Sequence, residues 1–210
     1  TMIMGMVMKK CAASAKSAII EFASKKLGVP IAKLDFLGRH IVSGDKKLMP
    51  IKEAVASYHE EFGPREFIET YDLPPGISWD EKRHLGDAYP TYSWACDVAE
   101  VEVDMSTFEI KVDRMWLFHD VGKAINPSMV EGQIEGGTLQ ALGYAILENH
   151  LVKDGRFVTN RFQNYIIPTA LDVPEFRTFI VEKPYEYGPV GAKGIGEMPM
   201  DGAAPAIVNA

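Results

Sequence analysis

The sequence predicts an α+β fold, in which a few helices and several β-hairpins share a chain of 210 residues. Two observations predict it. Apolar residues recur at helical spacing in some segments and alternate with polar residues in others, and these segments do not follow one another in regular βαβ order. Hydrophobic residues make up 47% of the chain and charged residues 24%, a balance that is ordinary for a globular protein with a buried core.

The first part of the chain predicts two helices and a long connection. Residues 7–27 carry apolar side chains on one helical face, and the segment ends at Gly28. Residues 50–62 repeat this pattern and are closed by Gly63–Pro64. Residues 69–91 are rich in proline, glycine and charge, so we expect an irregular segment that is either functional or packed against a partner.

The second part predicts strands that surround one helix. Residues 92–121 alternate in character and predict two strands that are joined near residues 105–107. Residues 129–148 predict a helix, residues 151–158 a hairpin with an Asp-Gly turn, and residues 179–181 a strand. We therefore expect a helical part at residues 1–91 with a long connecting segment and a second part at residues 92–210, with a single domain over residues 1–210 left open.

Composition excludes several classes of protein. The net charge of −7 argues against a nucleic-acid backbone as the main partner, and no apolar run approaches the roughly 20 residues of a membrane span. The two cysteines, Cys11 and Cys96, form neither a disulfide framework nor a metal motif, so we expect a cytoplasmic protein. Because the chain opens on Thr1 and stops inside a helical pattern, we expect a fragment or one piece of a larger assembly.

The helix at residues 129–148 is unusual because it contains four glycines, each of which costs roughly 0.5–1 kcal/mol relative to alanine. Helical spacing places four of its polar and glycine positions on one stripe: Gln133, Gly136, Gly137 and Gln140. Two interpretations stay open. The stripe either offers bare backbone and amide groups to a polar ligand, or it packs closely against another element.

The segment GPVGAKGIGE at residues 188–197 raises the same question. A glycine-rich loop before a helix can present backbone N–H groups to an anion, although this one matches neither a P-loop nor a dinucleotide-binding fingerprint. If a helix begins near Pro199, Glu197 lies just before its positive end, which favours the ionised state that a general base needs. The alternative is a glutamate that only caps the helix or is solvated.

The segment HDVGKAINPS predicts a strand end that turns towards the glycine-containing helix. His119 and Asp120 are neighbours on that strand, so their side chains point to opposite faces and do not form a simple dyad. A histidine-based metal site is not expected, and neither a nucleophile elbow nor a glycosylation acceptor is present. Residue chemistry alone leaves one candidate catalytic group, Glu197, and one candidate ligand-binding face, around Gln133.

Three segments together resemble a known family. They are YSWACDVAEVEVD, HDVGKAINPSMVEGQIEGGTLQALGYAILE and GPVGAKGIGEMPMDGAAPAIVNA, in that order. They are similar to the C-terminal part of the molybdopterin-binding subunit of the molybdenum hydroxylases, the xanthine dehydrogenase and aldehyde oxidoreductase family. The resemblance extends over residues 92–210 and is looser before them. It implies an α+β fragment of a larger subunit.

The resemblance also implies a chemistry. A molybdenum–molybdopterin cofactor, expected in a dinucleotide form, would hydroxylate a purine-like or nicotinate-like ring or oxidise an aldehyde, with oxygen taken from water. Glu197 would be the catalytic base, Gly196 would lie beside the metal, and Gln133 would hydrogen-bond the pterin. Electrons would pass to iron–sulfur clusters and FAD on partner domains or chains.

The family's other metal-site loops and iron–sulfur motifs are not in this sequence. We therefore expect about half of a cofactor site, completed by the remaining part of the molybdopterin subunit. The alternative is a non-catalytic scaffold or interaction domain with an incomplete site. Lys193 either helps to hold the loop or an anionic substrate, or is a solvated or structural lysine.

Overall fold

The computed structural model describes residues 2–210 and confirms the α+β class. It divides into two compact units, residues 3–72 and residues 73–210. The predicted domain division at residues 91 and 92 stays a prediction. Of the helices formed by residues 2–210, none combines the length and the apolar character needed to cross a membrane.

The unit at residues 3–72 combines two helices with a small sheet. Helix α1 spans Met2–Leu27 and α2 spans Ile51–Phe62. Between them, three antiparallel strands pair in chain order: β1 (Asp35–Leu37), β2 (His40–Ser43) and β3 (Lys46–Pro50). Ala23, Ile41 and Ala54 are fully buried where these elements meet. Both helices were predicted, but the sheet was not, because its strands of three to five residues are too short to show a clear alternation.

The unit at residues 73–210 is built on a three-stranded sheet. Strands β4 (Trp79–Asp80) and β5 (Leu85–Gly86) form a separate small hairpin. Strands β6 (Ala95–Val103) and β7 (Ile110–Asp120) are long and antiparallel. After helix α3 (Pro127–Leu142) and the predicted hairpin of β8 (Val152–Lys153) and β9 (Arg156–Phe157), strand β10 (Glu175–Val181) joins β7 in parallel. Helix α4 (Met198–Asn209) ends the unit.

Helices α3 and α4 cover one face of the sheet in the order β10-β7-β6. Met115 and Leu117 of β7 are fully buried beneath Ile134 of α3 and Ala203 of α4. The sequence of β7 places these side chains on the covered face because they alternate with exposed or half-buried residues. The start of α3 follows the C-terminal end of β7 in the chain, after a connection of six residues at 121–126.

Two predicted boundaries are corrected by the structure. The helix predicted at residues 129–148 begins at Pro127, where the Asn126 side chain accepts a hydrogen bond from the Met129 amide at 3.2 Å. It ends at Leu142 and continues as one π-helical turn over Gly143–Leu147, where a Cβ on Gly143 would lie 2.6 Å from Pro168 Cδ. The strand predicted at residues 179–181 is four residues longer at its start.

Candidate active site

The glycine-rich loop at residues 188–197 is attached to the C-terminal end of β7 by main-chain hydrogen bonds. The Lys193 amide donates to the Val121 carbonyl at 2.9 Å, and the Lys123 amide donates to the Gly191 carbonyl at 2.8 Å. Gly122 must be a glycine here, since its φ is +68° and a Cβ would lie 2.4 Å from the Gly191 oxygen. The loop therefore has a defined path over the end of the strand.

Not every glycine of the loop is needed for this path. A Cβ on Gly188 would lie 2.1 Å from the Ala192 carbonyl oxygen, so Gly188 permits a close backbone contact. A Cβ on Gly194 or Gly196 would meet no atom of residues 2–210 within 4 Å, and neither glycine has a positive φ. The packing of this chain gives no reason for glycine at these two positions, which flank Ile195 next to Glu197.

Glu197 lies at the N-terminus of helix α4, as the sequence predicted. The helix starts at Met198, and the Glu197 carbonyl accepts the first hydrogen bond from the Met200 amide at 2.9 Å. The Glu197 side chain is exposed, and within the described residues it makes no capping hydrogen bond to the helix. The Glu197 side chain thus does not cap the helix, and the alternative of a solvated glutamate stays open.

Gln133 joins α3 to the loop. Its side-chain amide nitrogen donates to the carbonyl oxygen of Gly196 at 3.1 Å. This contact brings Gln133, Gly196 and Glu197 together, although 63 residues separate the first two in sequence. The catalytic role of Glu197 and the cofactor contacts of Gln133 and Gly196 stay predictions.

The glycines of α3 lie in two different environments. Gly137 is buried, and a Cβ there would lie 2.8 Å from the Cβ of Pro199, so this glycine permits the close contact of α3 with α4. Gly132 and Gly136 are exposed, and a Cβ on either would meet no atom of residues 2–210 within 4 Å. The close-packing interpretation is therefore confirmed for Gly137. The ligand interpretation stays a prediction for the exposed part of the stripe.

A cavity of about 270 Å³ lies between the start of α3 and the loop. Gln133 and Gly196 line it together with apolar side chains of α3, of the loop and of the connection from β7 to α3: Val121, Ile125, Met129, Val130 and Ile195. Lys123 also lines this cavity, and its ammonium group contacts the Glu182 carboxylate at 2.7 Å. That ammonium group, with the amide of Ala124, holds the pKa of the Glu182 carboxyl below its ordinary value.

Two buried pairs at the end of β7 were not found by sequence reasoning. His119 Nε2 contacts Asp97 Oδ1 at 3.0 Å, and both side chains are fully buried. The next residue, Asp120, contacts the buried ammonium group of Lys193 at 2.6 Å. The predicted opposite orientation of His119 and Asp120 fits these separate partners, but only the fold shows that Asp97 and Lys193 are those partners. Lys193 is therefore a buried lysine, and the alternative of a solvated lysine is excluded.

The chain matches the molybdopterin cofactor-binding domain over residues 1–174, and it belongs to this family. It is 34% identical over 161 residues to a probable xanthine dehydrogenase subunit of Bacillus subtilis, and this match covers 76% of the chain and 21% of that protein. It is 34% identical over 123 residues to the carbon monoxide dehydrogenase large chain of Hydrogenophaga pseudoflava, a match that covers 57% of the chain and 15% of that protein.

A solved structure shows the same fold. Quinoline 2-oxidoreductase from Pseudomonas putida 86 superposes with a TM-score of 0.73 at 30% identity, over 95% of this chain and 25% of that one. The resemblance to the molybdenum hydroxylases is therefore confirmed. The chain spans about a quarter or less of the length of these relatives.

Proposed function

We propose that this chain supplies one wall of the molybdenum–molybdopterin site of a hydroxylase, with Glu197 as its catalytic base. The observation that carries the proposal is the hydrogen bond from Gln133 to the Gly196 carbonyl. It holds Gly196, the residue before Glu197, against α3, and Gln133 and Gly196 line one cavity. The family supports the cofactor part of the proposal, since residues 1–174, which include Gln133, match a molybdopterin cofactor-binding domain.

The residues of this face fit a large polar cofactor. Four glycines leave the backbone uncovered, although a Cβ at any of them would meet no atom of the described chain within 4 Å: Gly132, Gly136, Gly194 and Gly196. Exposed helical glycines are destabilising unless another group approaches the backbone closely. Gln133 provides an exposed amide group beside them. We expect Gln133 to bind the pterin and Gly196 to lie beside the metal.

The bound cofactor would supply the oxidising centre. This chain would hold the cofactor through Gln133 and Gly196 and would supply a proton acceptor. A carboxylate oxygen of Glu197 takes a proton during the hydroxylation step. The hydrogen bond from Gln133 holds the Gly196 carbonyl, and with it the backbone next to Glu197, against α3.

The names of the relatives support an N-heterocyclic substrate. Two of them, the xanthine dehydrogenase of Bacillus subtilis and quinoline 2-oxidoreductase, are named for nitrogen-containing rings. We propose a purine-like or nicotinate-like ring, with an aldehyde as the second possibility. We further propose a dinucleotide form of the pterin, and iron–sulfur clusters and FAD on partner domains or chains in the cytoplasm.

Exposed apolar side chains support a partner for the unit at residues 73–210. Trp94 is 76% exposed, Phe162 88% and Leu171 96%. Large apolar side chains at this level of exposure are typical of surfaces that another protein covers. We propose that the remaining part of the molybdopterin subunit covers them and supplies the other half of the cofactor site.

The experiment is the Glu197→Gln variant of the enzyme that contains this chain. A glutamine keeps the shape of the side chain but cannot accept the proton, so we expect unchanged molybdenum content and turnover lowered by roughly 10²–10⁴-fold. Near-normal turnover would refute the role of Glu197. A molybdenum-free assembly with intact partner chains would instead favour the second candidate, a non-catalytic scaffold that keeps this fold.

A further inference from the structure

We infer that Lys193 and Asp120 are positioning residues that fix Glu197 over the end of β7. The inference rests on the proposed function, because it concerns how the proposed base is held. Neither side chain is assigned contact with cofactor or substrate. Their role follows from a buried ion pair that connects the sheet to the loop, four residues before Glu197.

The ion pair is buried and has several partners. Lys193 Nζ lies 2.6 Å from Asp120 Oδ2, and the two side chains are only 7% and 6% exposed. Nζ also donates to the Tyr92 carbonyl at 3.0 Å, and Asp120 Oδ1 accepts from the Gly122 amide at 2.9 Å. A buried charge whose hydrogen bonds are made on several sides holds one geometry, because each alternative leaves a charge unpaired.

The other lysine ion pairs are much more exposed. Among residues 2–210, the remaining lysines in ion pairs have side chains that are 33% to 71% exposed. Exposed pairs contribute little because solvent screens them and their long side chains lose freedom on pairing. Among these lysine pairs, the Lys193 pair is the buried one, and it fixes the glycine-rich loop to the end of β7.

Two polar contacts hold the loop between Lys193 and Glu197, in addition to the packing of Ile195 against the core. Lys193 is fixed by its side chain and by its amide, which donates to the Val121 carbonyl at 2.9 Å. Gly196 is fixed by Gln133. Between them lie Gly194 and Ile195, and the glycine adds no side chain that would restrict the backbone. Loss of the Lys193 anchor would therefore leave Gln133 as the side-chain contact that positions the last residue before Glu197.

The test uses two variants and a control in the assembled holoenzyme. Lys193→Met removes the ammonium group and keeps an apolar stem. Asp120→Asn removes the charge but keeps the shape of the side chain and the oxygen that accepts from the Gly122 amide. It tests the loss of the ion pair if Lys193→Met fails to assemble. Lys111→Met is the control, because it removes a lysine from an exposed ion pair on the same strand, with Asp113. Glu197→Gln is measured in parallel.

We expect Lys193→Met and Asp120→Asn to lower kcat per bound molybdenum by about 100-fold, the effect of misplacing a catalytic group by roughly 1 Å, while KM is unchanged. The double variant should lose no more than the worse single variant, because the residues act through one contact. In the cofactor-free assembly, hydrogen exchange should become faster at residues 194–198. Lys111→Met should change none of these measurements.

Two results would overturn the inference. One is kcat per bound molybdenum that stays normal while molybdenum content falls, which is what a purely structural ion pair would produce. The other is unchanged hydrogen exchange at residues 194–198 in both variants. If Glu197→Gln keeps its turnover, the proposed function fails, whereas the exchange measurement still decides whether Lys193 holds the loop.

Discussion

Gly136 and Gly137 are neighbours on α3, yet replacing each with alanine should have opposite effects on stability. A Cβ on Gly136 meets nothing within 4 Å among residues 2–210, whereas a Cβ on Gly137 would lie 2.8 Å from the Cβ of Pro199. Gly136→Ala should therefore stabilise the chain by the difference in helix propensity, about 0.5–1 kcal/mol. Gly137→Ala gains the same term but overpacks the contact with α4, which costs about 1–3 kcal/mol.

Gly136→Ala should lower the cofactor content of the assembled enzyme, although it stabilises the chain. If a cofactor approaches the uncovered backbone at Gly136, the added methyl group overpacks that contact at a similar cost of about 1–3 kcal/mol, which is roughly 5- to 150-fold in binding. Gly136→Ala should thus be more stable as a purified chain and hold less molybdenum in the assembled enzyme. Urea unfolding measures the first effect, and elemental analysis of the assembled enzyme measures the second.

One result would refute this reasoning about the glycines. If Gly136→Ala keeps full molybdenum content at limiting cofactor, the open backbone at this position is not reserved for a ligand. The remaining explanation would be an exposed glycine without a function in binding. Gly137→Ala serves as the comparison, since it has the same gain in helix propensity and adds the overpacked contact with Pro199.

Two further variants test the residues around the site. Gln133→Ala should lower molybdenum occupancy, because it removes the hydrogen bond to the Gly196 carbonyl and the proposed pterin contact; unchanged occupancy would contradict the role of Gln133. His119→Ala should lower the free energy of unfolding by roughly 3 kcal/mol or more, because Asp97 Oδ2 already lacks a partner among the described residues and the fully buried carboxylate would lose its remaining one. Chemical denaturation would measure this loss, and a loss as small as that of Lys111→Ala would contradict it.

The sequence predicted the elements of the unit at residues 73–210 better than their packing. The alternation in β6 and β7 and the helix at α3 could be predicted because each element is long enough to show its period. The parallel pairing of β10 with β7 was not, since it joins residues more than 60 positions apart. The short strands β1–β3 left no period to detect.

The candidate site shows the same limit. Glu197 and Gln133 were found because a glutamate before a helix and a glycine-containing amide stripe are local patterns. The contact between Gln133 and Gly196 depends on how α3 and α4 pack, and the partners of His119 and Asp120 depend on strand register and loop path. Helical spacing also left open whether Gly137 faces a ligand or another element, because spacing alone does not show which neighbour a glycine faces.

The most direct measurement is elemental analysis for molybdenum and iron on the protein purified gently from its native source. We expect stoichiometric molybdenum together with iron, co-purifying with further protein that completes the cofactor site. We also expect the 210-residue chain expressed alone to bind no molybdenum. Native material without molybdenum would contradict the proposed function. Stoichiometric metal in the isolated chain would contradict the conclusion that this chain forms only one wall of the site.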